Sequence, residues 1–435
     1  MAQEDDDIIV LLKEVNKGSS ISNISFHSSL PILANGSYSD VTDRSVQFFE
    51  VPGLEKVSSK EWGASKVNCV AFHPRLDVML TGDANHVNNV KLWNVTTVDP
   101  ADIRELVTLD GHRRVITCIA FHLILPFFAT GSWDGTAKIW HYKEDDWSAT
   151  KCIFTTDPPD MPDIRVTSVA FHPTQHIIAI TSSSRGAKIL DFSDAAAAAT
   201  EIAVSRTIPS DITLGEHIYT TCVAFHPGPI NFILAVGGHI ITQGWRNTYS
   251  IKLWDYSPSI GNPTCVATLE GHTNNISSMI FHPSIPLLIS GSEDRRVKFW
   301  GIDADIKKST CVHTVQYQTD GVTSIAICPY NYSLLVTGTF NGMLRLYNIA
   351  NLMSRLRMNH YYITPSHADL RRFYGEIHGI AQTTMLSKSD PFKDTRRRRR
   401  RHRGGNKTKR NHHKLSRKRY SRTLRKKRKS YTRNK

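Results

Sequence analysis

The stretch GHRRVITCIAFHLILPFFATGSWDGTAKIW, from Gly111 to Trp140, decides the fold, and GHTNNISSMIFHPSIPLLISGSEDRRVKFW, from Gly271 to Trp300, repeats its plan. Each opens on Gly-His and runs through an apolar segment ending in Phe-His. A second apolar segment ends in a Gly-Ser turn, and a third ends in Trp. Worn copies of the same order run along the chain. Their landmarks are His27, His73, His122, His172, His226, His282 and Cys328, spaced 46 to 56 residues apart. A period of this size means a propeller or a solenoid. The segments Val67–Phe72, Val115–Phe121, Val166–Phe171 and Ile276–Phe281 are short, rich in β-branched and aromatic residues, and followed by turn residues. Those are strand signals. Third segments end at Trp93, Trp140, Trp254 and Trp300. Candidate fourth strands are Glu105–Leu109, Lys151–Thr155, Glu201–Arg206, Thr264–Leu269 and Thr310–Val315. Four strands in each of seven units predict an all-β, seven-bladed β-propeller.

The chain resembles the WD40 family. The resemblance rests on Gly111-His112, Gly131-Ser132-Trp133-Asp134 and Trp140, and again on Gly271-His272, Gly291-Ser292-Glu293-Asp294 and Trp300. It covers roughly residues 1 to 350, and the copies depart from the family pattern often. Of the Trp residues that end a copy, only Trp254 is followed by Asp, and Phe49, Leu190 and Tyr347 stand where other copies end in Trp. The unit around Phe281-His282-Pro283 is also similar to units in coatomer-subunit propellers. The resemblance implies structural tetrads at His112, Thr130, Asp134 and Trp140 and at His272, Ser290, Asp294 and Trp300. In each, the indole donates to the hydroxyl, the hydroxyl to His, and His to the carboxylate. A nucleophilic Ser/His/Asp set would instead need an open site and oxyanion donors. The resemblance further implies that an N-terminal strand completes the last blade, because an open ring would expose sheet edges. Ile8–Lys13 is expected beside Met343–Tyr347.

The charge splits along the chain. From Arg396 to Lys435 there are 22 Lys and Arg and no acid, which leaves the rest with a net charge of −7. The expected organisation is a propeller over 1–350, an extension over 351–386 with a short helix opening at Ser366, and a disordered basic tail over 387–435. The tail's blocks are Arg396, Arg397, Arg398, Arg399, Arg400 and Arg401, then Arg417, Lys418 and Arg419, then Arg425, Lys426, Lys427, Arg428 and Lys429. Such runs neutralise phosphates without reading sequence, or address a protein to the nucleus. The acidic start lacks the basic opening of a signal peptide, and no apolar run is long enough to span a membrane. A cytoplasmic or nuclear location is expected, with no secretion.

Several residue types that carry chemistry elsewhere recur here in register. Cys69, Cys118 and Cys222 share one place with Ser168, Ser278 and Ser324, and Cys152, Cys265 and Cys311 share another. Interchange of Cys with Ser marks a small packing residue, and no C-x-x-C pair offers a metal or disulfide site. The six Phe-His histidines fall one to a blade, too far apart for a single metal. They read as residues at the solvent edge of a turn. No cofactor, metal or small-molecule substrate is expected.

What does not repeat is left for function. Gly237–Tyr249 reads as a loop insertion carrying Trp245, Arg246 and Tyr249. The turns on the same face carry Trp62, Arg113, Arg114, Trp133 and Arg185, and further round Tyr219, Asn275, Arg295 and Phe340. Aromatic residues beside Arg are the types that dominate protein interfaces. The expectation is a non-enzymatic scaffold that binds a protein partner on this rim. In the alternatives the chain is a substrate-recruiting adaptor of a ubiquitin ligase, or a vesicle-coat-like cargo-binding propeller. Adaptors of the family often carry Trp-Asp-x-Arg, whereas Trp254-Asp255-Tyr256-Ser257 has no Arg.

Overall fold

Each repeat folds as an antiparallel sheet whose strands follow chain order. The computed structural model describes residues 8–37, 45–61, 66–83, 90–156, 164–184, 186–193, 218–228, 232–242, 246–257, 263–316 and 318–358. Blade three shows the pattern: Ile116–Phe121, Phe127–Ser132, Ala137–His141 and Lys151–Thr155. The first strands of successive blades lie side by side, and that of blade seven, Val322–Ile327, meets that of blade one, Ile21–Phe26. The result is a closed seven-bladed ring.

The ring is closed by the chain's beginning. Val10–Asn16 pairs antiparallel with Met343–Asn348 as the outer strand of blade seven, in the register Leu11 with Tyr347 and Val15 with Leu344. Arg345 is buried beneath this pairing. It donates from Nε to Glu14 Oε2 at 3.0 Å and from Nη1 to Gln318 Oε1 at 2.9 Å, and Gln318 Nε2 donates to Tyr347 Oη at 2.6 Å. A buried guanidinium is tolerable only when paired in this way.

Seven apolar layers hold the ring, each shared by two neighbouring blades. The second strands bring the blades close. A Cβ on Gly131 would meet Val166 of the next blade at 2.4 Å, and one on Gly338 would meet Ile21 across the closure at 2.5 Å. The Gly of the Gly-Ser turn is therefore a blade-packing residue. The first strands add a polar tie. Each has a bulge near its start, between Ile116 and Cys118 in blade three and between Thr220 and Cys222 in blade five. A bulge turns one residue out of the ladder. That residue donates to a first-strand carbonyl of the next blade: Asn68 to Ile116 at 2.6 Å, Thr117 to Val166 at 2.7 Å, Thr167 to Thr220 at 2.9 Å and Thr221 to Ile276 at 2.5 Å. Ser277 does the same to Val322.

One expectation is corrected. Gly237–Tyr249 is no loop: Ile233–Thr242 and Arg246–Asp255 continue pairing out to Thr242 and Arg246. Gly238 permits this, since a Cβ there would lie 2.4 Å from the Tyr219 carbonyl. A helix that the sequence reading did not name, Ala350–Met358, follows the last blade directly. The Asn348 side chain accepts from Ala350 N–H at 2.9 Å as its cap. Ile349, Leu352, Met353 and Leu356 lie on one helical face and pack with Ile8 against blades six and seven. The helix expected from Ser366, the strand Glu201–Arg206 and the tail from 387 lie outside the described residues.

Candidate functional site

The two tetrads form as bonded chains. Trp140 Nε1 donates to Thr130 Oγ1 at 3.0 Å, Thr130 Oγ1 lies 2.8 Å from His112 Nε2, and His112 Nδ1 lies 2.9 Å from Asp134 Oδ2. The second set has Trp300 to Ser290 at 2.8 Å, Ser290 to His272 at 2.8 Å and His272 to Asp294 at 2.7 Å. Burial alone would raise the Asp134 carboxyl. The hydrogen bonds from His112, Thr136 and the Arg113 N–H outweigh it and hold the group below the usual carboxylate range. Thr130 and Ser290 are fully buried, so neither hydroxyl is open to a substrate. Blade two keeps half of the chain, with Trp93 donating to Thr81 at 2.9 Å. In blade five Val236 replaces the hydroxyl residue, and Trp254 Nε1 is buried without an acceptor among the described residues.

The Phe-His histidines are not at the solvent edge, as the sequence suggested. All six are buried, from 0% exposed at His27 and His282 to 9% at His226. Their Nδ1 atoms accept backbone N–H groups of their own turns, as at Arg75 and Leu76 for His73. Nε2 reaches the neighbouring blade: His27 to Val95 O at 3.2 Å, His122 to Gln175 O at 3.1 Å and His282 to Tyr332 O at 3.0 Å. His73 meets the Tyr142 hydroxyl at 2.6 Å. Burial pushes His122, His172 and His226 down to about 4 and His73 to about 3. His27, His73, His122 and His282 thus tie neighbouring blades through Nε2, while His172 and His226 pack edge-on against Phe225 and Phe281 of the next blade.

The cysteines divide. Cys69 and Cys222 are buried and Cys118 is half-buried, all beneath second-strand glycines. Cys152, Cys265 and Cys311, expected as packing residues, are exposed on outer strands opposite Trp140, Trp254 and Trp300. The outer strand has no further blade strand beyond it, so a small residue there is not enclosed. Among the described residues no group of His, Cys, Asp and Glu is placed to hold a metal ion.

On the face formed by the turns between second and third strands, one backbone bond recurs. Trp133 N–H donates to Val115 O, Ser183 to Arg165, Glu293 to Asn275 and Phe340 to Gly321, at 2.9 to 3.0 Å. Trp133, Ser183, Glu293 and Phe340 therefore hold equivalent places, as do Val115, Arg165, Asn275 and Gly321. Phe340 is 43% exposed and Tyr219 40%. Tyr219 stacks on His239 at 5.0 Å, with Tyr249 on the ring's other contact at 5.4 Å. Asn275 Nδ2 donates to Glu293 Oε2 at 3.2 Å. Arg113 and Arg114 are exposed. Arg295 is exposed with φ of 68°, in the left-handed region, where Gly135 and Gly342 stand in the matching turns. Trp133 is half-buried rather than exposed, because the Arg165 guanidinium lies over its ring at 4.3 Å. Arg165 escaped the sequence reading. Its register with Asn275 could have found it. Trp62, Arg185, Trp245, the side chain of Arg246 and the basic tail lie outside the described residues.

The family model "WD domain, G-beta repeat" matches residues 103–141, 263–301 and 309–348. Each match runs from the outer strand of one blade through the third strand of the next. A probable coatomer subunit beta' of Schizosaccharomyces pombe is 49% identical over 59 residues, 14% of this chain and 7% of that protein. The transcriptional corepressor LEUNIG_HOMOLOG of Arabidopsis thaliana is 26% identical over 261 residues, 60% of this chain and 27% of its own length. The nuclear distribution protein nudF of Aspergillus niger is 26% identical over 278 residues, 53% of this chain and 58% of its length. The chain thus spans less than two thirds of each of these relatives. No described helix is long and apolar enough to cross a membrane. With the closed ring, the bonded tetrads and the three matched repeats together, the chain is a seven-bladed β-propeller that carries WD40 repeats.

Proposed function

We propose that the chain is a non-enzymatic scaffold whose propeller holds a protein partner on the face bearing Trp133, Tyr219, Arg295 and Phe340. One observation carries this reading. The residue types that suggest chemistry, the tetrad hydroxyls and the Phe-His histidines, are occupied inside or between blades. Trp133, Tyr219, Arg295 and Phe340 collect instead on one face. Arg295 adds support, because a non-glycine residue in the left-handed region is costly and is kept where its side chain has a use. The names of the relatives, a coat subunit, a corepressor and a nuclear distribution protein, are compatible with a role in assembly. The basic tail, by this reading, tethers the assembly to RNA or DNA through phosphate contacts without sequence preference, or carries it into the nucleus.

Affinity purification of the full chain and of a 1–390 truncation, each with and without nuclease, tests both parts. The reading expects the same protein partners with either form, and nucleic acid only with the full chain and only before nuclease. Nucleic acid on neither form defeats the tether, and no protein recovered with either form defeats the scaffold. The 49% identity to the coatomer subunit over 59 residues favours a second reading, a cargo-binding propeller of the coat type. Coat components among the captured proteins would select it.

A further inference from the structure

We propose that Arg165, held over Trp133, is the anchor of a docking surface for a carboxylate-rich, acidic segment of the partner. The inference rests on the binding face proposed above and names the chemistry of what binds there. Arg165 belongs to blade four and Trp133 to blade three, so the pair bridges two blades at the rim. The guanidinium lies 4.3 Å from the ring centroid. A guanidinium held over an indole by cation–π attraction can still offer its edge N–H donors, whose fork matches a carboxylate. Arg165 is exposed, and among the described residues no acid pairs with it. Its backbone is fixed on both sides, N–H to Ser183 Oγ at 3.1 Å and C=O from Ser183 N–H at 2.9 Å. The donor fork is thus positioned before any ligand arrives, which lowers the entropy cost of binding.

The surroundings favour negative charge. Arg113 and Arg114 are exposed in the adjoining turn. In the Trp133 turn, Asp134 is already engaged by His112 and by the Arg113 N–H, each at 2.9 Å. Apolar contact with the half-buried indole would add to the ion pairs.

The test is hydrogen exchange with mass spectrometry on the full chain, with octaglutamate as probe and octalysine as control. The readout is resolved along the chain, so capture by the tail is seen separately. Octaglutamate is expected to protect segments containing 113–116 and 164–168, with octalysine without effect there. Arg165→Ala should raise the half-protection concentration at least tenfold at these segments, and Arg165→Lys several-fold, because Lys keeps the charge and loses the fork. Protection at the tail should be the same in all three proteins. Protection confined to the tail, equal protection by octalysine, or an unchanged midpoint in Arg165→Ala overturns the proposal. Thermal melting of each variant checks folding. If Arg165→Ala is destabilised, Arg165→Gln, which keeps a planar group over the indole, is judged by the same midpoint. The scaffold reading is judged separately, by partner capture, and survives failure here.

Discussion

Val236 is a defect the fold tolerates. It stands where blades three and six have a hydroxyl, and leaves the indole N–H of Trp254 buried without an acceptor. Val236→Thr supplies that acceptor at nearly the same volume. The expected gain is about 1 kcal/mol, seen as a higher urea midpoint with unchanged slope. The histidine ties set the response to acid. In the unfolded chain an imidazole takes up its proton near 6.5. In the folded chain His122, His172 and His226 do so only near 4 and His73 near 3, because burial opposes the charge. Between those values the unfolded state binds more protons, so stability is fully present above about pH 6.5 and is lost as pH falls toward 4. Each histidine should cost roughly 2 kcal/mol at pH 4.5, and urea titrations across this range should show the midpoint falling steeply. Arg295 makes the opposite trade. Arg295→Gly removes left-handed strain and should raise stability by about 1 kcal/mol in the same titration, while weakening partner capture.

The outer strand of blade seven is the element on which closure depends. Val10–Asn16 supplies a full ladder to Met343–Asn348, and Glu14 completes the buried cluster around Arg345. Deleting residues 1–17 should lower the melting temperature sharply, since it uncovers Arg345 and removes its Glu14 partner; an unchanged melting curve would contradict the closure. This pairing could be anticipated from the sequence, because the last repeat has three apolar segments and the first is preceded by a spare one. The helix Ala350–Met358 could have been read from Asn348 and the spacing of Ile349, Leu352, Met353 and Leu356. It was hidden by its position directly after a strand, where periods of two and of 3.6 overlap. The blade-five hairpin was hidden because two adjacent glycines look like a turn. Here Gly238 admits a close neighbouring carbonyl instead.

At the scale of the whole molecule, the sequence period and the ring agree because most blades use the same places for the same task. In most, glycine receives the next blade, the bulge residue ties to it, and a buried His packs against the next blade at the opposite end, while blade four has Thr181 for the glycine and blade seven Cys328 for the His. Those repeated tasks were legible as repetition even where their physics was misjudged, as for the histidines. The binding face was only partly legible. Phe340 and Arg295 occupy turn positions that a sequence alignment of blades reveals. The Arg165–Trp133 contact joins two blades, and no single repeat contains it. The most direct test of the scaffold reading is partner capture by the full chain against two variants. One is Trp133→Ala/Tyr219→Ala/Phe340→Ala. The other is Ile124→Ala/Tyr330→Ala, which changes exposed apolar residues in the turns of the opposite face. The account predicts that the first variant loses the partners recovered with the wild type and the second keeps them, with both melting near the wild type. Retention by the first variant, or loss by the second, would contradict it.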